Sequence, residues 1–305
     1  MRHFLEIDEL SADELVEVLD LSEEPDPHRL LTGKGAALVF EKPSLRTRSS
    51  TELAVVQLGG HPVTITAAEI GLGARETPED VVRTLAGYHA VVAARVFEHE
   101  KLERMAAVDV VPVVNLLSDL SHPMQALADV LTLRQHFGEL EGLTVAYIGD
   151  ANNVSRSLAL AVALTGGTMR IGSPSGYGPD PLEIDRVRAL GGTIEVFNRP
   201  EPAVAGADVV YTDVWASMGQ EDEAEERRRA FEGFTVDGLL MADASPNAVF
   251  LHCLPAHRGE EVAAEVLESY KSLVWQQAAN RMHTARGLLA FLLADERQAA
   301  SGEGP

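Results

Sequence analysis

Cysteine occurs once in this chain of 305 residues, at Cys253. A single thiol excludes an internal disulfide and leaves no Cys-rich zinc cage. Lysine is almost as scarce, supplying 4 of the 25 basic residues while arginine supplies 21. Positive charge as a whole is short: 25 basic against 47 acidic side chains give a formal net charge of −22. Nucleic-acid binding rests on a basic surface that neutralises phosphates, so the deficit argues against a nucleic-acid partner and against docking on an anionic membrane. No apolar run reaches the roughly 18 residues of a spanning helix. The uncharged stretch 157–169 is too short and holds two glycines. The first eight residues carry two acids and lack the apolar core of a signal peptide. Together these absences point to a cytoplasmic, metal-free protein without a membrane segment.

What is present has the balance of a globular enzyme. Hydrophobic residues make up 46% and charged residues 24%, which sets the chain apart from disordered sequences. Its 305 residues suit two α/β domains of about 150 residues each. The preference for arginine over lysine has a bland source in coding bias or salt adaptation. It has a functional source in anion binding, because guanidinium grips phosphate and carboxylate in bidentate fashion. Composition leaves both open, and position decides.

Ser11 and Glu14 form a capping box, followed at helical spacing by Leu15, Val18 and Leu19. Apolar, β-rich runs at 36–40, 61–66, 91–96 and 111–116 then alternate with helical segments at 46–58 and 78–89. Gly59-Gly60 stops the first of these helices and Pro78 opens the second. A long helix over 125–137 leads into a second series of strands at 143–148, 168–171, 193–196, 209–212 and 249–252. This alternation predicts an α/β fold of two domains, each a parallel β-sheet flanked by helices. The boundary is placed at the long helix, giving domains 1–135 and 136–279. A C-terminal helix from 280 packs back on the first domain, which thereby takes 280–305. Five acids and three arginines over 221–229 read as a solvated helix face beside a mobile loop.

Open parallel sheets bind ligands at the carboxyl ends of their strands. Polar clusters stand at those places: 42–48, Arg95, 121–125, 149–153, 213–219 and 252–258, a pattern expected of a cleft for two substrates. Lys42-Pro43-Ser44-Leu45-Arg46-Thr47-Arg48 follows a strand and opens a helix. Its backbone N–H groups, the Ser44 and Thr47 hydroxyls and Arg46 can cradle a phosphate. It lacks the Walker spacing, and a capped helix with exposed arginines is the plainer alternative. His122-Pro123-Met124-Gln125 marks a second strand-to-helix junction, although a lone histidine is more often structural. Gly149-Asp150-Ala151-Asn152-Asn153 has one glycine where a dinucleotide site needs three, and no acid stands at Ile171-Gly172-Ser173. A nicotinamide-dependent oxidoreductase is therefore disfavoured. The paired asparagines instead offer neutral hydrogen bonds suited to an amino-acid headgroup. His252 and Cys253 are neighbours on a strand and point to opposite faces, which removes the base a nucleophilic thiol needs.

In this order, Ser44-Leu45-Arg46-Thr47-Arg48, His122-Pro123-Met124-Gln125, Ser217-Met218-Gly219, His252-Cys253-Leu254-Pro255 and Asn280-Arg281-Met282-His283 resemble motifs of the aspartate/ornithine carbamoyltransferase family. The third and fourth point to its ornithine branch, and the resemblance covers essentially the whole chain. It implies transfer of the carbamoyl group of carbamoyl phosphate to the side-chain amine of L-ornithine, within arginine metabolism, with no metal or organic cofactor. It implies that Ser44, Leu45, Arg46 and Thr47 hold the phosphate and that Arg95 and His122 lie near the carbonyl. Gln125 would contact the carbamoyl amide, Arg281 would reach over the same substrate, and Cys253 and Leu254 would line its other side. Asn153, Asp213, Ser217 and Met218 would bind ornithine, and Arg95, His122, Asp213 and Cys253 would serve the chemistry. The resemblance further implies a homotrimer or a multiple of trimers. Three positions depart from the family pattern. Leu45 replaces a frequent threonine. Gly71 falls where many members have a glutamine that reaches a neighbouring subunit, with Arg75 a candidate substitute. Ala279 stands where an acid is usual.

The chemistry agrees with these roles. Attack needs a neutral amine, and neutralising a group of pKa near 10.4 at pH 7.4 costs about 4 kcal/mol. Desolvation favours the neutral amine while Asp213 alone favours the ammonium, so Asp213 is expected to orient ornithine rather than deprotonate it. Arg95, His122 and the Thr47 hydroxyl are expected to donate to the oxyanion. The nearest alternative is the same transfer to putrescine or an N-acylated ornithine. Putrescine lacks the α-carboxylate that gives Asn153 and the 217–219 loop a purpose. Aspartate would want basic groups that 213–219 does not offer. A non-catalytic binding protein is disfavoured by the joint presence of Arg46, Arg95, His122, Asp213 and Cys253. Gly219 and the charged tail behind it predict a loop over 217–230 that closes on ornithine.

Overall fold

The structure, a computed structural model, describes residues 1–216 and 221–301. The chain forms two compact units. One comprises Met1–Ala128 and the chain from Ala279 onward, and the other is Asp129–Ala278. Both divisions fall inside helices, Pro123–Phe137 and Val274–Ser301, so no loop or change of composition marks them.

In the first unit β1 (Gly35–Phe40), β2 (His61–Thr66), β3 (His89–Arg95) and β4 (Val113–Leu117) pair in parallel in the order β2-β1-β3-β4. Residues 36–40 of β1 and 91–95 of β3 are buried without alternation, as a sheet covered on both faces requires. The chain leaves β1 through helix Leu45–Gln57 toward β2, and leaves β3 through helix His99–Ala106 toward β4 on the other side. The winding thus reverses between β1 and β3, and a crevice opens at their carboxyl ends.

The second unit repeats the plan. Its strands β5 (Thr144–Ile148), β6 (Thr168–Gly172), β7 (Thr193–Phe197), β8 (Val209–Thr212) and β9 (Val249–His252) are parallel in the order β7-β6-β5-β8-β9. Here the reversal lies between β5 and β8. Tyr147 and Tyr211, fully buried on these two strands, stack with ring centroids 5.6 Å apart.

The C-terminal helix begins at Val274, six residues before the expected start, because nothing in Val274 to Asn280 breaks a helix. It packs on helix Ala12–Glu23. Arg286 donates to the Ser22 and Glu24 carbonyls, at 2.7 Å each, where that helix leaves its last carbonyls unsatisfied. Gly287 allows the close approach: a Cβ there would collide with Ser22 Oγ and lie 2.6 Å from the Val18 carbonyl oxygen. Alanine is the better helix former by about 1 kcal/mol, but overpacking against backbone costs about 1–3 kcal/mol. Gly287→Ala is therefore expected to lower the melting temperature. A rise in thermal denaturation would contradict this packing.

The 221–229 segment forms the expected solvated helix face with one exception. Helix Ala224–Ala230 exposes Arg228 and Arg229 but buries Arg227, and the following Phe231 is fully buried against Trp215 at 5.6 Å. Apolar residues just beyond the charged run pull this one arginine inward, while Glu225, Glu226, Arg228 and Arg229 keep the face solvated. The remainder of the expected closing loop, 217–220, lies outside the described residues.

Candidate active site

In the first unit β1 delivers the chain to Ser44, whose Oγ accepts the Thr47 N–H at 3.4 Å and caps helix Leu45–Gln57. No acid stands in the first turn, so the helix keeps the positive character of its N-terminus. Thr47 is buried, and three donors meet at its Oγ1: Ser44 Oγ at 3.0 Å, Arg95 Nη1 at 3.2 Å and Arg281 Nη2 at 3.4 Å. Arg95 arrives from the end of β3 across the switch point, and Arg281 from the C-terminal helix. Arg281 Nη1 also donates to Gln125 Oε1 at 2.6 Å and to His122 Nε2 at 3.4 Å. Arg95, His122, Gln125 and Arg281 are all buried. Leu45 exposes its side chain and can offer only its backbone N–H to a ligand.

Burial lowers the His122 pKa well below the usual histidine value, and the charges of Arg281, Arg95 and Arg46 lower it further. The imidazole is therefore neutral. Arginine only donates, so His122 Nε2 is the acceptor and the ring proton sits on Nδ1. The unfolded chain takes up a proton below about pH 6.5 while the folded one resists it. The stability held at neutral pH is thus lost on acidification, by up to about 1.4 kcal/mol per pH unit. Between pH 7 and 5 the wild type is expected to lose more unfolding free energy than His122→Asn, as followed by denaturant titration. Equal losses would contradict a neutral His122.

In the second unit the turn after β5 leads to Asn152, which caps helix Asn153–Leu164 by accepting the Val154 and Ser155 N–H groups at 2.9 and 3.2 Å. The other end of its amide donates to Asp213 Oδ2 at 2.9 Å. Cys253 Sγ donates to Asp213 Oδ1 at 3.0 Å. Buried Asp213, just beyond β8, is thus gripped on both oxygens by groups from the ends of β5 and β9, across the second switch point. Asn153 occupies the first helical position after the Asn152 cap.

The expected opposite-face placement of His252 and Cys253 is not found: β9 ends at His252, and a ring nitrogen of His252 stands within 4.8 Å of Cys253 Sγ. Leu254 N–H donates to His252 Nδ1 at 2.8 Å, and His252 Nε2 meets Glu261 Oε1 at 3.1 Å. Since Nδ1 accepts, Nε2 carries the proton. Both ring nitrogens are spent. Although the ligand atoms of Asp213, His252 and Cys253 lie within 4.8 Å of one another, His252 has no lone pair left for a metal or for the Cys253 thiol. The same bond secures Leu254 at φ 59°, a left-handed conformation costing a non-glycine residue about 1–3 kcal/mol.

The expected residues therefore fall into two clusters, one in each unit. Ser44, Thr47, Arg95, His122, Gln125 and Arg281 are joined by hydrogen bonds in the first unit, with the Arg46 charge felt at His122. Asp213 and Cys253 are joined in the second, flanked by Asn153 and Leu254. Ser217 and Met218 lie outside the described residues. Arg281 finds support without an acid at 279, from Gln125. At Gly71, φ is +68° and a Cβ would stand 2.8 Å from that of Arg75, so the turn excludes a side chain. Arg75 bonds back to the Glu69 carbonyl at 3.1 Å. Not foreseen were the clamp of Asn152 on Asp213 and the buried roles of Arg227 and Glu261. The paired asparagines at a strand-to-helix junction signalled the first, and no local pattern signals the other two.

Two doubly wound parallel sheets, one gathering arginines at a helix N-terminus and the other presenting a clamped carboxylate beside a capped helix, define a two-domain α/β enzyme for an anionic and an amino-acid-like substrate. The chain belongs to the aspartate/ornithine carbamoyltransferase family: the family's carbamoyl-P binding domain matches residues 2–135 and its Asp/Orn binding domain residues 141–292. It is 49% identical to the ornithine carbamoyltransferase of Acidothermus cellulolyticus over 313 aligned positions, covering 100% of this chain and 99% of that protein. It is 47% identical to the anabolic ornithine carbamoyltransferase of Pyrococcus furiosus, over 88% of this chain and 86% of that one. The solved structure of ornithine carbamoyltransferase from Pyrococcus furiosus superposes with a TM-score of 0.92 at 43% identity, covering 96% of this chain and 97% of that chain.

Proposed function

We propose that this chain transfers the carbamoyl group of carbamoyl phosphate to the side-chain amine of L-ornithine, giving L-citrulline and phosphate. The observation that carries the reading is the convergence of Arg95 and Arg281 on Thr47 at an acid-free helix N-terminus, in the unit that matches the carbamoyl-P binding domain. Ser44, Thr47, the Leu45 N–H and Arg46 hold the phosphate, and Gln125 and Arg281 hold the carbamoyl end. The neutral amine attacks the carbonyl carbon. Arg95, the Thr47 hydroxyl and His122 donate to the oxyanion that forms, each such donor being worth about 10²–10³-fold in rate. The C–O bond to phosphate then breaks, the electron pair leaves with an anion already held by cations and helix N–H groups, and the amine proton passes to phosphate or solvent. Asp213 retains free lone pairs beyond those used by Asn152 and Cys253, and these orient the amine. Asn153, Ser217 and Met218 serve the amino-acid headgroup, with Cys253 and Leu254 along the path of the amine.

The same proposal places the enzyme in arginine biosynthesis, in the cytoplasm, as a homotrimer or a multiple of trimers. The anabolic relative supports the first. No helix among the described residues is long and apolar enough to cross a membrane, which is compatible with the second. Leu45, Leu53 and Val56, exposed at 78%, 48% and 53% on one face of a helix, give self-assembly an apolar surface. Comparing product from ornithine, putrescine and N-acetylornithine, each with carbamoyl phosphate, tests the substrate. Ornithine is expected to give far the highest kcat/KM, and absence of citrulline from ornithine would overturn the reading.

A further inference from the structure

Glu261 is a buried carboxylate with one oxygen in use and one idle. Its side chain is fully buried, and its carbonyl is pinned by the Val236 N–H at 2.9 Å. Oε1 accepts from the His257 N–H at 2.5 Å and meets His252 Nε2 at 3.1 Å. Oε2 is buried and has no hydrogen-bond partner among the described residues. No arginine or lysine among them pairs with this acid; its ion-pair contacts are His252 and His257. Buried polar atoms in folded proteins are nearly all satisfied, so a carboxylate oxygen left idle this deep points to a ligand.

A histidine and a second acid stand around that oxygen. Residues 257–260 form a turn in which the Glu260 N–H donates to the His257 carbonyl at 2.9 Å, with Gly259 at φ +90°. The turn folds His257 back over the acids and places its Nδ1 3.9 Å from Glu261 Oε2. One ligand atom each of His257, Glu260 and Glu261 lies within 4.8 Å of the other two. The His257 side chain is 54% exposed, so the cluster is open to solvent. Glu260 gives Oε1 to Arg228 Nη2 at 3.0 Å and keeps Oε2 for another partner.

We propose that His257, Glu260 and Glu261 form a binding site for a divalent cation of the zinc class, held by one imidazole nitrogen and two carboxylate oxygens and completed by solvent. The donor set selects the ion. Calcium and magnesium take oxygen shells and soft ions take sulfur, whereas imidazole with carboxylate suits Zn²⁺, Co²⁺ or Ni²⁺. Bonds of about 2.0–2.2 Å put the ligands of a tetrahedral ion about 3.3 Å apart, so His257 Nδ1 and Glu261 Oε2 need to close by only about half an ångström. An exposed histidine side chain can turn that far. Arg228 is a competitor for Glu260 and not part of the site. The ion takes no part in the carbamoyl transfer proposed above, and none of its three ligands is assigned to a substrate. Because Glu261 also holds His252 at the end of β9, a bound ion braces the chain between His252 and Glu261.

Titration of the full chain, first stripped with EDTA, tests the proposal, using Co²⁺ followed by visible absorption and Zn²⁺ followed by calorimetry. Wild type is expected to bind Co²⁺ saturably, with ligand-field bands of nitrogen and oxygen ligation and without the charge-transfer band that the Cys253 thiolate would give. His257→Ala and Glu260→Gln are each expected to weaken binding at least about tenfold, a loss that even an outer-shell partner of a metal can cause. Arg228→Gln frees Glu260 and is expected to tighten binding severalfold. All three substitutions leave Glu261 and the His257 N–H in place, so the variants keep the fold, which melting curves in EDTA check. Excess Ca²⁺ is expected not to displace Co²⁺. Absence of saturable binding below millimolar concentration, equal affinity in wild type and His257→Ala, or a thiolate band that disappears in Cys253→Ser would overturn the proposal. Affinity unchanged in Glu260→Gln and Arg228→Gln alike would remove Glu260 from the site and overturn it too.

Discussion

Arg46→Ala is expected to lower kcat/KM for carbamoyl phosphate at least about 100-fold. Arg46 stands in the first turn of a helix that has no acid there to answer it, and its charge reaches buried His122. A phosphate held at this helix end takes backbone N–H groups, hydroxyls and a guanidinium fork. Removing the fork leaves the neutral donors alone. Two charge-assisted bonds at about 1.5–3 kcal/mol each make at least 3 kcal/mol, and 1.4 kcal/mol is tenfold. Arg46→Lys keeps the charge and loses the fork, so it should fall between. Initial rates at carbamoyl phosphate well below saturation give the comparison, and near-normal turnover of Arg46→Ala would sink the phosphate assignment.

Asp213→Asn should lower kcat/KM for ornithine about 100-fold or more while leaving KM for carbamoyl phosphate unchanged. The carboxylate now accepts from Asn152 Nδ2 and from the Cys253 thiol. An amide has one oxygen, so its NH₂ would face one of those two donors, and the group must turn or let one segment go. The pH dependence separates orientation from proton abstraction. If Asp213 were the base that deprotonates the amine, the loss would disappear near pH 10, where ornithine supplies the neutral amine itself. Orientation predicts a loss that persists there.

The parts of the fold carried by local pattern were legible in the chain. Strands read from apolar runs fell within about two residues of β1 to β9. The motif residues also proved to be neighbours: Arg95 and Arg281 meet Thr47 from 48 and 234 positions away. What escaped depends on long-range packing. Whether Arg227 faces solvent or Asp150 is decided by Phe231 and Trp215 packing beside it, which no charge pattern within 221–229 reveals. Gly287 reads as a helix weakener until helix Ala12–Glu23 is seen against it. Glu261 looks like any surface acid, although it is fully buried and holds His252.

On the proposed function the first unit presents a carbamoyl donor and the second an amino-acid acceptor. Following carbamoyl phosphate labelled with ¹³C at the carbonyl by ¹³C and ³¹P NMR, in the presence of purified protein and L-ornithine, tests it most directly. The predicted result is one citrulline ureido carbon and one phosphate formed together, at a rate that requires ornithine. Phosphate released without labelled citrulline, or no release beyond spontaneous breakdown, would contradict it.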